Sequence, residues 1–181
     1  MTPARATPGG DPAPPSPADP TPPTVVVRKA VAADLPALGR LGALLVAVHH
    51  DFDAARFFPA GPGTEQGYAQ FLATQLEAPD AVVLVAEAGG TVLGYSYAAL
   101  EGLNFMALRG PAGVLQDIIV DPAQRRRGAG RLLLDAALAA LRDLGARQVV
   151  LSTAHRNAAA QRLFAAAGFR PTMIEMTREL P

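Results

Sequence analysis

Apolar positions along this chain change their spacing from segment to segment, and each change predicts an element. Residues 24–30 (Thr-Val-Val-Val-Arg-Lys-Ala) are a β-branched run and predict a first strand. Asp34 is placed to cap a helix whose first turn tolerates Pro36, and Leu38, Leu41, Leu45 and Val48 follow at helical spacing. Residues 59–63 predict a turn. Thr64, Glu65 and Gln66 then open a second helix, to about residue 77, with Tyr68, Phe71, Leu72, Gln75 and Leu76 on its inner face. Residues 81–87 and 91–100 predict two strands joined by the hairpin signal Ala88-Gly89-Gly90, and alternation sends Tyr95 and Tyr97 to one face. After an irregular connection over 101–112, residues 114–120 are almost continuously apolar, as in a strand buried on both faces, and Asp121-Pro122 ends them. Leu133, Ala137, Ala140, Leu141 and Leu144 predict a helix stopped by Gly145, and residues 147–153 a further strand. Strand, helix, strand at this spacing implies a parallel, right-handed crossover. Asn157 is placed to cap a last helix lined by Ala159, Ala160, Leu163, Phe164 and Ala167 and ended by Gly168, and residues 169–180 predict a final strand.

These elements describe one α/β domain, and 181 residues suffice for one buried core. Residues 1–23 stand apart, with nine of the 17 prolines and almost no large apolar side chain. They predict a disordered Pro/Ala-rich tail before a domain at 24–181, and they lack the apolar stretch of a secretory signal. No run reaches the ~18 apolar residues of a membrane span. The best stretch, 35–48, is interrupted by Arg40, so no membrane partner is expected.

Charge and composition narrow the chemistry. Lys+Arg and Asp+Glu are 16 each, so no global field draws the chain to nucleic acid, and Arg125-Arg126-Arg127 lacks an accompanying pattern of stacking aromatics. The absence of cysteine removes disulfides, thiolate nucleophiles and thiolate metal sites, which fits a reducing, cytoplasmic setting. His49, His50, Asp51 and Asp53 raise the question of a metal, but the third histidine, His155, is isolated and no metal is expected. Histidine at the negative end of a helix is the simpler account of that cluster, and a substrate-facing loop is the functional one.

The segment from Arg125 to Arg131 joins the central strand to the next helix with the sequence Arg-Arg-Arg-Gly-Ala-Gly-Arg. Glycines let a backbone approach a ligand, the first N–H groups of a helix lack internal partners, and guanidinium groups suit phosphate. A solvated helix entrance would use the same residues. No lysine follows the glycines, as a P-loop requires, and Leu133 stands where a dinucleotide fingerprint needs its third glycine. Arg125-Arg126-Arg127-Gly128-Ala129-Gly130 matches Gln/Arg-x-x-Gly-x-Gly/Ala and resembles the coenzyme A pyrophosphate loop of the GNAT superfamily of N-acetyltransferases. Asn157-x-x-Ala160-x-x-Leu163-Phe164-x-x-x-Gly168-Phe169 resembles that family's fourth-helix signature, and the element order from about residue 25 to 180 is similar throughout.

The resemblance implies a mixed, mostly antiparallel sheet that splays at its fourth and fifth strands, with about four helices. It implies acetyl-CoA as cosubstrate and an acceptor that is a small-molecule or peptide amine, attacked directly through a tetrahedral intermediate. Ile118 and Val120 match main-chain contacts to pantetheine, an N–H near Ile119 would stabilise the oxyanion, and Arg125, Arg126, Gly128, Ala129, Gly130 and Arg131 match pyrophosphate contacts. Asn157 matches a pantetheine contact, alongside its capping role. A base is needed for an ammonium of pKa ~10.4, and Asp117 is the first candidate, Glu101 the second. Asp117 would equally fit a buried structural carboxylate. His49, Asp53, Tyr95 and Tyr97 are the substrate-side candidates. Phe164 departs from the pattern, since many relatives have there a tyrosine that protonates the leaving sulfur. A thiol of pKa ~8.5 leaves as a thiolate only about 2 kcal/mol above its protonated form at pH 7, so the loss need not abolish activity. The alternative is a catalytically silent acyl-CoA-binding module of the same fold. A homodimer is compatible with the family, and no residue of the sequence decides it.

Overall fold

The computed structural model describes residues 23–180, so all but the last residue of the predicted tail lies outside the described residues. Five strands, β1 (Val26–Lys29), β2 (Ala81–Ala88), β3 (Thr91–Glu101), β4 (Ala112–Val120) and β5 (Val149–Leu151), form one sheet in that order. Pairing is antiparallel from β1 to β4 and parallel between β4 and β5. The β2–β3 hairpin turns through Gly89 and Gly90 at φ 57° and 76°, the left-handed pair that a two-residue turn requires.

Helices α1 (Leu35–Phe52) and α2 (Thr64–Leu76) cover one face, and α3 (Ala129–Asp143) and α4 (Ala158–Ala166) belong to the other. Alternation along β2 divides the core accordingly. Val83 and Val85 pack with Leu38, Leu41, Leu72, Tyr95 and Ile119, whereas Val82, Leu84 and Ala86 pack with Leu115, Leu133, Leu134, Leu141 and Phe164. Each fully buried leucine contributes about 1.5–3 kcal/mol. α1 and α2 approach closely because Gly42 has no side chain: a Cβ there would lie 2.2 Å from the Tyr68 ring. By length and composition the helical stretch Ala32–Phe52, mean hydropathy 1.3, could cross a bilayer, which the isolated Arg40 had argued against. Its Leu38, Leu41 and Val46 are instead buried in the core.

Three expectations need correction. Asp34 is not a side-chain cap of α1. It sits in a 3-10 turn (Ala32–Asp34), accepts from the Val31 N–H at 2.8 Å, and takes two hydrogen bonds from Arg28, which also binds Glu87. Residues 114–120 are not buried on both faces, since Gln116 is exposed and Asp117, Ile118 and Val120 are only partly covered. Residues 169–180 form no strand: Phe169 packs against the core, and residues 170–180 lie exposed.

Candidate active site

β5 pairs with β4 only through Gly113↔Val149, Val114↔Val150 and Leu115↔Leu151. Beyond Leu115 the two strands part, and β4 continues to Val120 bonded on its β3 side alone. Where they part, β4 carries a bulge: Tyr97 pairs with Asp117 and Ala98 with Leu115, leaving Gln116 without a partner. An extra residue shifts the phase of everything after it. Gly113 gives its N–H to Gln148 on the β5 side, while Asp121 gives its N–H to Leu93 of β3. Counting back from Asp121 by twos, Ile119 faces β3, and the main-chain groups of Ile118 and Val120 face the opening. The Val120 carbonyl accepts from Arg125 Nε at 3.4 Å, in keeping with that direction. The expectation of a free N–H near Ile119 therefore moves to Ile118. Ile119 pairs with Tyr95 and is buried.

β4 leads through Asp121, which accepts from the Ala123 N–H, and a 3-10 turn at Pro122–Gln124 into the start of α3. Arg126 has φ 64° and Gly128 has φ 78°, left-handed residues on either side of Arg127. Such alternation is the backbone form of an anion-binding concavity, and for arginine it costs about 1–2 kcal/mol. No side chain caps α3 at Gly128, so the first N–H groups of the helix are free for a ligand. A Cβ on Gly128 would meet nothing within 4 Å. Arg125, Arg126, Gly128, Ala129, Gly130 and Arg131 all line one cleft of about 990 Å³. Arg127 does not, because it bonds Gln124 and the Pro23 carbonyl. Arg131 also binds Asp135 at 2.8 Å.

The opposite wall of the cleft comes from β5 and α4. Asn157 caps α4 through Oδ1, which accepts from the Ala160 N–H at 3.1 Å, and its amide NH2 remains a donor at the cleft. Phe164 faces the same space from α4 and meets Phe169 edge-on at 5.9 Å between centroids. The phenylalanine is thus a packed wall, with no hydroxyl to give.

The bulge also sets the side chains. Asp117 and Ile119 point to the α1/α2 face, where Tyr95 Oη donates to Asp117 Oδ2 at 2.8 Å. Burial raises the Asp117 pKa above the ordinary carboxylate value, against the lowering effects of the Tyr95 hydrogen bond and of positive charge on His49. Burial likewise raises Tyr95, while Tyr68 is pushed up to about 12 by burial and by Asp117. His49, in the last turn of α1, lines the cleft with Nδ1 2.8 Å from the Leu45 carbonyl, and its ring meets Phe57 edge-on at 5.1 Å. With Nδ1–H given to that carbonyl, a neutral His49 keeps its Nε2 lone pair.

The remaining candidates separate. Tyr97 borders a smaller hollow of about 370 Å³ with Asp117, and its hydroxyl donates to Gln75 Oε1. Tyr95 is fully buried and reaches a substrate only through Asp117. Glu101 holds Arg109 at 2.5 Å and accepts from Gln116, outside the lining of the cleft. Asp53 ends α1 and accepts from the N–H groups of Ala55 and Arg56, also outside that lining. Its acidity serves the turn. Residues not singled out from the sequence, Gln116, Tyr68, Phe52, Ser152, Thr153 and Arg156, also border the space. Two apolar positions on either side of a polar pair, Leu115 and Ile118, are the sequence trace of the bulge, and they are too common to reveal one. Among the described residues no His, Asp and Glu cluster of three could hold a metal.

An open strand edge, a phase-shifting bulge and an uncapped helix start now stand together. The sequence model of the Acetyltransferase (GNAT) family matches residues 45–169. This chain belongs to that family. Among relatives, the uncharacterized N-acetyltransferase YhfO of Bacillus subtilis (strain 168) is 31% identical over 120 residues, 65% of this chain and 78% of YhfO. A mycothiol acetyltransferase of Thermobispora bispora is 39% identical over 89 residues, 47% of this chain but only 28% of that longer protein. Aminoglycoside N-acetyltransferase AAC(6')-Iy in complex with CoA has the same fold, with TM-score 0.68, 18% identity, and 90% of this chain and 98% of that one covered. The GNAT fold thus accounts for the described domain, its splayed sheet and its four helices.

Proposed function

We propose that this GNAT chain transfers the acetyl group of acetyl-CoA to a primary amine by direct attack on the thioester, in the cytoplasm. The acetyltransferase domain would be residues 24–181, with residues 1–23 as an appendage. The reading is carried by one observation: the free edge of β4 and the uncapped start of α3 line the same cleft. The residues present fit a long pantetheine diphosphate. The main chain of Ile118 and Val120 suits the extended amide-bearing arm, and the N–H groups opening α3, with Arg125, Arg126 and Arg131, suit the diphosphate.

Acetyl-CoA supplies the activated acyl group. The Ile118 N–H is placed to donate to negative charge that develops on the carbonyl oxygen as the amine attacks. Asp117, held by Tyr95 on the acceptor side, accepts the proton the ammonium must lose, directly or through water. His49 and Tyr68 border the same space. Phe164 gives the departing sulfur no proton, so the thiolate leaves as such and solvent protonates it.

The test is free-thiol release from acetyl-CoA across primary amines, amino acids, aminoglycosides and peptides. The proposal expects amine-dependent release that Asp117→Asn suppresses. Binding of acetyl-CoA with no release from any amine would favour the silent module instead.

A further inference from the structure

The smaller hollow of about 370 Å³ takes no part in holding coenzyme A. It lies between α2 and the β3–β4 pair, lined by Gly67, Tyr68 and Phe71 from the helix and by Tyr97, Gln116 and Asp117 from the strands. Tyr68, Gln116 and Asp117 also line the large cleft, so the two spaces adjoin at the proposed base. Phe71 is 46% exposed, and its ring meets Tyr97 edge-on at 5.5 Å between centroids. A ring held beside another and still half open to water has a face without a partner. Tyr97 Oη donates to Gln75 Oε1, which leaves its ring to the hollow. Gly67 is a second, independent sign. Glycine forms helices poorly, and Gly39 of α1 has a packing reason, since a Cβ there would lie 2.4 Å from the Glu65 carbonyl oxygen. A Cβ at Gly67 would meet nothing within 4 Å. It would project from the rim of the hollow, one turn before Phe71 on the same helix face.

We infer that this hollow holds the single aromatic ring of the acceptor, a primary amine joined to that ring by a short linker, whose ammonium meets Asp117 where the two spaces adjoin. The inference rests on the acetyl-transfer reading and names its substrate class. Among the described residues, Asp117 is the one charged side chain that lines the hollow, which matches one ammonium. The open faces of Phe71 and Tyr97 match a ring. The volume stands near the lower end of the range for ligand pockets, enough for a ring and too little for a peptide or an oligosaccharide. An aminoglycoside would also bring many hydroxyl and ammonium groups, and beyond Asp117, Gln116 and the tyrosine hydroxyls the lining has nothing to pair with them.

The experiment compares phenethylamine, ethylamine and kanamycin with the full chain by calorimetric binding and by free-thiol release from acetyl-CoA. Binding needs no turnover, so it tests the hollow apart from the chemistry. Phenethylamine should bind about tenfold or more tighter than ethylamine and show a similar advantage in kcat/KM, with kanamycin below it in both. Gly67→Leu, which sets a side chain at the rim and favours the helix, should cut that advantage about tenfold. Phe71→Ala, which removes a ring face, should do the same. Each advantage is a ratio within one protein, so a loss of folded material cancels. Equal binding of phenethylamine and ethylamine to wild type would overturn the inference, as would an advantage that survives both substitutions or a preference for kanamycin. Thiol release with ethylamine would then leave the acetyl-transfer reading standing. Ring-selective binding that Gly67→Leu abolishes, with no thiol released from any amine, would uphold the ring site and overturn the acetyl-transfer reading instead.

Discussion

Tyr95 Oη lies 2.8 Å from Asp117 Oδ2, joining adjacent strands through a tyrosine with no exposed surface and a carboxylate that reaches the cleft. The tyrosine is a positioning residue, and its hydrogen bond draws the Asp117 pKa down while burial drives it up. Removing the hydroxyl therefore raises that pKa further. Tyr95→Phe should shift the acid limb of the kcat/KM profile to higher pH, because Asp117 must be ionised to accept a proton. Asp117→Asn should lower kcat by about 10²- to 10⁴-fold on the plateau above that limb, with the deficit shrinking as pH falls through it. A limb that stays in place in Tyr95→Phe would separate Asp117 from the chemistry.

Stability should move the other way at that carboxylate. Its folded-state pKa is raised, so its favourable contribution is complete below the unfolded value of ~3.9 and is lost as pH rises through the folded value. At neutral pH the ionised group weakens the fold. Asp117→Asn should then melt no lower than wild type at pH 7, as read by calorimetry.

Asp34 has the opposite sign. Arg28 hydrogen bonds lower its pKa first, and the Val31 N–H adds to the effect over the cost of burial. Its contribution is present above pH ~4 and disappears as pH falls through the depressed folded value. Asp34 is buried but the Arg28 side chain is 38% exposed, which softens the loss. Asp34→Ala should cost about 2 kcal/mol in urea unfolding at pH 7, less than a fully buried pair.

Phe164 tests the missing acid. If the thiolate departs unaided, Phe164→Tyr should change kcat by less than about thirtyfold, since protonation is worth only about 2 kcal/mol at pH 7. Steady-state thiol release decides it, and a gain of a hundredfold or more would mean that leaving-group protonation limits the enzyme.

Periodicity made most of the fold legible. The hairpin at Gly89-Gly90, the α3 stop at Gly145 and the cap at Asn157 are local signals, and the structure has all three where the residues put them. The phosphate-binding turn was legible too, because glycine and arginine announce it. The phase shift at Gln116 was not, since a bulge is set by how β3 and β4 pair and its only sequence trace, a polar pair between Leu115 and Ile118, is too common to reveal one. That single unpaired residue moves the free N–H from Ile119 to Ile118. The roles of Glu101 and Asp53 likewise depended on which neighbour each carboxylate meets: Arg109 for one, its own turn for the other. The strand expected at 169–180 is absent: alternation in sequence does not make a strand without a paired edge, and these residues pair with none among the described residues.

The central claim is that the free N–H groups at the start of α3 grip the diphosphate of an acyl carrier. Gly128→Asp places a carboxylate over those groups, and Gly128→Asn has the same shape without the charge. Thermal melting with acetyl-CoA at about 100 times its Kd should show stabilisation of roughly 2.7 kcal/mol for wild type, a partial effect for Gly128→Asn, and none for Gly128→Asp. Equal stabilisation of all three proteins by acetyl-CoA would contradict the account.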